Sequence, residues 1–311
     1  MKLSTWMVLA VGLLLTGCAA LPAPHGTTIV TPTFQGDMFV AHDGVQLPFR
    51  HWDADGSPRA IIIALHGMND YSNSFDKPAQ LWAKDGITTF AYDQRGFGRG
   101  PNPGLWAGGE AMRQDFADFA ALMRTRHPGV PLYALGESMG GAVILTAMTE
   151  PSSVKLDGVI LAAPAVWSRS DMPMSYRAAL FLASHLTPGL IVSGGGLKIE
   201  PSDNIPMLRA LSRDPYVIKQ TRTDAVYGLV DLMDEARQAP DHLTATPPIL
   251  FLYGKNDQII PRAPTEAVIA ELGARATVRF YDKGYHMLLR DLEGDKVALD
   301  VADWIGQRKR D

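Results

Sequence analysis

The sequence predicts an α/β protein: a mostly parallel central sheet, helices on both faces and an inserted helical cap. Three observations predict it. Continuous apolar runs recur along the chain, as strands buried on both faces require. Segments of helical periodicity separate them, and that alternation is the signature of parallel pairing. The alternation lapses between about residues 168 and 242 and then resumes.

The elements follow in order. "MFVAHDGVQLPFRHW" reads as a hairpin turned at Asp43-Gly44. "RAIIIALHG" and "GITTFAYD" are buried strands, and the helical spacing of Ser74 to Lys84 lies between them. In residues 110–127, Met112, Phe116, Phe119 and Leu122/Met123 recur three or four apart, which gives a helix one apolar face. "PLYALG" is the next strand, and Met139 to about Thr149 the next helix. "LDGVILAAPAV", "PPILFLYG" and "TVRFYD" complete the strands, with helices at about 262–272 and 294–307. Residues 36–167 and 243–311 thus form the core, and 168–242 the cap, which holds helical segments, prolines and a Gly194-Gly195-Gly196 loop.

Composition sets the remaining bounds. With 311 residues, 46% hydrophobic and 20% charged, the chain can bury a sizeable core in one large domain. A net charge of −4 and a pI near 6.1 give no electrostatic ground for nucleic-acid binding. No metal-ligand cluster and no G-x-G-x-x-G after a strand occur, so no cofactor is implied. The N-terminus stands apart. Lys2, an apolar run from Trp6 to Leu15 and small residues thereafter have the order of a secretory signal peptide over residues 1–17, and the run is too short to span a bilayer. Leu15-Thr16-Gly17-Cys18 resembles a bacterial lipobox, which implies that Cys18 carries a lipid anchoring the protein to a membrane. It is the only cysteine, so disulfides are excluded. Residues 18–35 read as the lipidated cysteine and a flexible tether rich in Pro and Thr. Ala19 after the cysteine suggests outer-membrane sorting by analogy with Gram-negative lipoproteins.

The chemistry centres on "GESMGG". With 29 glycines in the chain, G-x-S-x-G by itself arises by chance in about one such chain in ten. Its context is more specific. A strand precedes it and a helix follows, so Gly136 and Gly140 permit a sharp turn that exposes Ser138 Oγ. A hydroxyl nucleophile needs a base oriented by a third group, and the partners should follow in the order acid, then histidine. Asp257 lies just beyond the strand "PPILFLYG", and His286 just beyond "TVRFYD". Ser138, Asp257 and His286 are therefore expected at one edge of the sheet as nucleophile, orienting acid and base. Oxyanion donors are expected from the backbone N–H of Met139, directly after the nucleophile, and of Met68, in the loop after an earlier strand. His25, His42, His51, His127, His185 and His242 lie in the tether, hairpin, helix end or cap. His66 reads as structural. Asp282, close to His286 in sequence, reads as a group supporting it from behind or as a solvated strand-end carboxylate. Asp171 is a weaker acid candidate, and Glu137 is assigned no catalytic role.

"HGMNDYS", "YDQRGFG", "GESMGG", "YGKNDQIIP" and "GYHMLLRD" together resemble the α/β-hydrolase fold and, within it, the monoacylglycerol lipase and lysophospholipase-like group. The resemblance covers about residues 36–308. It implies a serine ester hydrolase acting on single-chain acyl esters, with Ser138, Asp257 and His286 as its triad, Met68 and Met139 as oxyanion donors, and a cap over an acyl-chain tunnel. Where the group often has Gly-Glu-His, this chain has Asn69-Asp70-Tyr71, which bears on recognition of a glycerol-like head group and leaves ester hydrolysis untouched. In the cap, Met172, Met174, Leu180, Phe181, Leu182, Leu186 and Leu190 suit either an acyl chain or packing onto the sheet. Glu200, Asp203, Asp231, Asp234 and Glu235 leave open capture of an amine, hence a proline-releasing aminopeptidase. A small-ester esterase and a non-catalytic lipoprotein module also stay open.

Overall fold

Thr33–Gln35 (β1), Met38–Val40 (β2) and Gln46–Trp52 (β3) form an antiparallel ribbon, in which Gln35 faces Met38 and Val40 faces Gln46. The computed structural model describes residues 29–150, 155–193, 198–244 and 247–308. Residues 1–17, Cys18 and the Gly194–Gly196 run lie outside the described residues. The tether ends earlier than the sequence suggests, because Thr33–Gln35 is a strand. Its Phe34 ring lies 5.2 Å from Phe49 and 5.3 Å from Phe119, centroid to centroid, so one aromatic side chain recruits a polar segment to the sheet.

The remaining core strands are Ala60–Leu65 (β4), Ile87–Tyr92 (β5), Leu132–Glu137 (β6), Gly158–Ala162 (β7), Ile249–Gly254 (β10) and Ala276–Tyr281 (β11). Among the described residues the sheet runs β1-β2-β3-β5-β4-β6-β7-β10-β11, parallel from β5 onward. Every residue of β4, β5, β6, β7 and β10 is buried, which is why these strands read as mainly apolar runs, with Thr88, Thr89 and Glu137 as the polar exceptions. Ile61, Ile62 and Ile63 are each fully buried, and burial of each such side chain contributes about 1.5–3 kcal/mol.

From β4 the chain steps one way to β5 through Asp76–Lys84 (α1), then across to β6 through Gly109–Arg126 (α2). From β6 it steps the other way to β7 through Met139–Ala147 (α3). Right-handed crossovers put helices of opposite step on opposite faces. Accordingly α1 packs with the last helix, Gly294–Arg308 (α8), while α2 packs on α3. The loops after β4 and β6 diverge at this reversal, where ligands of open α/β sheets bind. Beside it, Arg95 is buried between Asp43 and Asp115, 2.6 Å from each, and ties the hairpin turn to α2.

The insertion holds Met174–Leu186 (α4), a short ribbon of Ile191–Val192 (β8) with Thr221–Arg222 (β9), Ile205–Arg213 (α5) and Thr223–Gln238 (α6). Its last helix belongs physically to the body: Val230, Leu232, Met233 and Ala236 of α6 join the main core, and α6 packs on α3. Gly228 permits this, since a Cβ there would stand 2.2 Å from the Trp106 ring. Arg262–Leu272 (α7) links β10 to β11.

Candidate active site

Ser138 sits between β6 and α3 with φ 52° and ψ −114°, a strained conformation for a residue with a side chain, costing about 1–3 kcal/mol. The neighbours enforce it. A Cβ on Gly136 would stand 2.4 Å from Gly141 N, and one on Gly140 2.1 Å from Leu65 O. Ser138 N–H donates to Ala162 O, and its carbonyl accepts from Ala142 and Ala165 N–H, so the elbow is fixed on both sides.

Asp257 and His286 are brought together at the same sheet edge. His286 Nδ1 lies 2.8 Å from Asp257 Oδ2, and both side chains are nearly inaccessible. Asp257 Oδ1 accepts from Ile259 and Ile260 N–H, which fixes the carboxylate. Ionised Asp257 only accepts, so the imidazole carries its proton on Nδ1 and leaves Nε2 as a base. Burial opposes the charged imidazolium, but the Asp257 charge and hydrogen bond, with Glu137, outweigh it and raise the His286 pKa above 6.5. The two loops are fused through backbone contacts: Asn256 N–H donates to Gly284 O, and a Cβ on Gly254 would stand 2.4 Å from Tyr285 O.

The loop after β4 faces the elbow. Asn69 takes φ 67°, and Asp70 N–H returns to Gly67 O, closing a turn around Met68. Among the described residues no acceptor takes the N–H of Met68 or of Met139, so both donors are open. His66 is structural: Nδ1–H donates to Gly67 O and Nε2 accepts from Gln94 N–H, while burial lowers its pKa and keeps it neutral.

Ser138, His286 and Met68 line one cavity of about 410 Å³, whose walls include Trp167, Met172, Leu180, Val230 and Met233. That volume and apolar lining suit a small organic ligand. Of the seven apolar cap residues singled out in the sequence, only Met172 and Leu180 line it. Met174, Phe181, Leu182, Leu186 and Leu190 are instead more than half exposed, so they neither grip a chain inside nor pack the cap down.

The other candidates lie elsewhere. Asp282 is 82% exposed and pairs with Lys255, and Asp171 bonds Ser168. Asp231 and Asp234 hold Arg169, Glu235 holds Arg113, and Asp203 accepts from Leu292 N–H. None of these acids, nor Glu200, lines the cavity. Sequence reasoning missed three groups that do: Asp70, Glu137 and Arg290. Arg290 follows His286 by four residues, but nothing in that spacing announces its partners. Among the described residues no group of His, Cys, Asp or Glu is arranged to hold a metal ion, and no helix is long and apolar enough to cross a membrane.

Known proteins share this architecture. The family model described as serine aminopeptidase, S33, matches residues 56–293. A monoacylglycerol lipase of Mycolicibacterium smegmatis is 25% identical over 89% of this chain and 99% of its own length. Human monoglyceride lipase is 24% identical over 92% of this chain and 95% of its own. A solved monoglyceride lipase variant from Saccharomyces cerevisiae, in complex with a substrate analog, superposes with a TM-score of 0.74 at 18% identity, covering 93% of this chain and 99% of that one.

Proposed function

The chain belongs to the serine aminopeptidase S33 family of α/β-hydrolases, and on that premise we propose that it hydrolyses single-chain acyl esters, monoacylglycerols or lysophospholipids, through Ser138, His286 and Asp257. The observation that carries the reading is a His286–Asp257 pair opening, beside Ser138, onto an apolar cavity of about 410 Å³.

In this mechanism His286 Nε2 takes the Ser138 proton as Oγ attacks the acyl carbonyl. The open N–H groups of Met68 and Met139 receive the oxyanion. His286 then gives its proton to the departing alcohol oxygen, and the acyl group remains on Ser138. Water that loses its proton to His286 cleaves the acyl-enzyme and frees the fatty acid. Asp257 holds the imidazole tautomer and stabilises its charged form.

A peptidase activity has less support: a free α-amine would need a carboxylate anchor, none of the five cap acids lines the cavity, and the two acids that do, Asp70 and Glu137, are buried against Arg290. Lipid anchoring belongs to the same reading: Cys18 carries the lipid after removal of residues 1–17 and holds the enzyme at the bacterial cell envelope, in the outer membrane. The five exposed apolar cap residues fit work at a lipid surface.

The test is fatty-acid release by the full chain from a monoacylglycerol, a lysophospholipid and a short-chain ester, beside Ser138→Ala. Long-chain turnover abolished by the substitution is expected. Turnover of the short ester alone would make the protein a small-ester esterase. Release of amine from a proline arylamide would move it to the peptidases, and failure of a fluorophosphonate to label Ser138 would leave a non-catalytic module. Palmitate labelling lost in Cys18→Ser tests the anchor.

A further inference from the structure

Behind Ser138 and His286 lies a buried cluster of three charges that the mechanism does not use. Arg290 Nη2 stands 2.7 Å from Asp70 Oδ2 and 3.5 Å from Glu137 Oε2, and the three side chains are at least nine-tenths buried. Each belongs to a different segment of the site. Asp70 closes the turn that presents Met68, and its Oδ1 also accepts from Tyr71 N–H. Glu137 is the residue before Ser138. Arg290 ends the short helical turn Leu288–Arg290 that follows His286, where its N–H donates to Met287 O. One guanidinium therefore touches the segments that carry the oxyanion donor, the nucleophile and the base.

Stability is a poor reason for such a cluster. Three buried ions are costly to desolvate, and well-packed apolar groups of similar volume commonly stabilise a fold as much or more. Glu137 makes the point sharply, since neither carboxylate oxygen has a hydrogen bond or contact with solvent. Glu137 borders the cavity, yet its carboxylate oxygens are closed to solvent. What the arrangement does supply is registry. One guanidinium nitrogen, Nη2, meets both carboxylates, and the rigid planar group sets where that nitrogen lies, which an ammonium on a flexible stem does not reproduce. From the outer side the same loop is gripped by the cap: Met287 N–H donates to Pro201 O, Asn204 Nδ2 to Arg290 O, and Ser202 Oγ to Asp291 Oδ1.

We propose that Arg290, with Asp70 and Glu137, is a positioning residue: it holds the loop bearing His286 in register with the oxyanion turn and the nucleophile elbow. The proposal rests on the triad reading above, and the experiment separates the two. Arg290→Lys, Glu137→Gln and Ser138→Ala would be made in the full chain, and kcat counted per fluorophosphonate-labelled site so that unfolded protein does not enter. In Arg290→Lys the positive charge stays and the rigid planar guanidinium is lost. Misplacement of catalytic groups by about 1 Å costs up to about 100-fold, so kcat per site should fall roughly 10- to 100-fold with KM within about twofold. Its acidic pH limb should stay in place. In Glu137→Gln kcat should fall similarly and the limb should move to lower pH, because of the charged groups acting on His286, Asp257 and Glu137 raise its pKa and Arg290 lowers it. A purely structural role would lower Tm and leave kcat per site and the limb unchanged. That result, with Ser138→Ala inactive, overturns this proposal alone. Turnover retained by Ser138→Ala overturns the triad and this proposal with it.

Discussion

Substituting Gly140 by alanine tests how the elbow is built. Gly140 is the second residue of α3, and a Cβ there would stand 2.1 Å from Leu65 O, 2.5 Å from Leu65 C and 2.7 Å from Leu65 Cβ. Real Cβ atoms stay about 3.0 Å or more from such neighbours, so helix and strand must part by about 0.9 Å. Leu65 cannot yield alone, because β4 is hydrogen-bonded on both edges, with Leu65 opposite Gly136. The helix must move, taking Ser138 and the Met139 N–H with it. Overpacking of this kind costs about 1–3 kcal/mol of stability, and a shift near 1 Å at the reacting atoms costs about 100-fold in rate. The assay is kcat per labelled site together with urea unfolding, beside Gly306→Ala in α8. At Gly306 the nearest group is the Arg59 side chain at 3.5 Å, and alanine in that helix should add roughly 0.5–1 kcal/mol without touching activity. Wild-type kcat in Gly140→Ala would refute the argument that close packing against Leu65 sets the position of the nucleophile.

Asp257→Asn should lower kcat by about 10⁴, the scale of losing the correct imidazole tautomer in a serine triad. A loss of less than about tenfold would sink the role assigned to that carboxylate. The raised His286 pKa fixes a sign: the imidazole holds its proton above the ordinary 6.5, so the base form is depleted early on acidification. The acidic limb of kcat/KM should therefore lie above pH 6.5 and move down in Asp257→Asn, and a limb below 6.5 in the parent would contradict it. Leu180→Trp should fill the cavity wall and displace two or three methylenes of a bound chain at about 0.8 kcal/mol each. Long-chain kcat/KM should then drop roughly 10- to 50-fold while a short ester is unaffected, and equal effects on both would show that the cavity does not hold the chain. The double substitution Phe181→Asp and Leu182→Asp on the exposed face of α4 should weaken sedimentation with phospholipid vesicles and leave soluble-ester turnover intact. Unchanged sedimentation would remove that face from any role at a lipid surface.

The sequence by itself carried the sheet and the elbow. Strands buried on both faces are mostly apolar, so "AIIIAL" and "ILFLYG" announce themselves, and "ITTFAY" does so less cleanly through its two threonines. A serine between glycines at a strand–helix junction likewise has few physical readings. Asp257 and His286 were legible because each follows its own strand, and parallel strands deliver their carboxyl ends to one edge. Other features depend on contacts between segments distant in the chain. Residues Thr33–Gln35 are a strand because the Phe34 ring finds Phe49 and Phe119, which no local pattern encodes. The outward aim of Phe181 and Leu182, against the inward aim of Met172 and Leu180, depends on how the cap is seated. The neighbours of Glu137 are hidden from the sequence in the same way. Arg290 reaches it from 153 residues further along the chain and brings Asp70, 67 residues before it, into the same cluster. Periodicity and spacing record what one element needs from solvent and core, whereas only the tertiary structure decides which charges share a buried space.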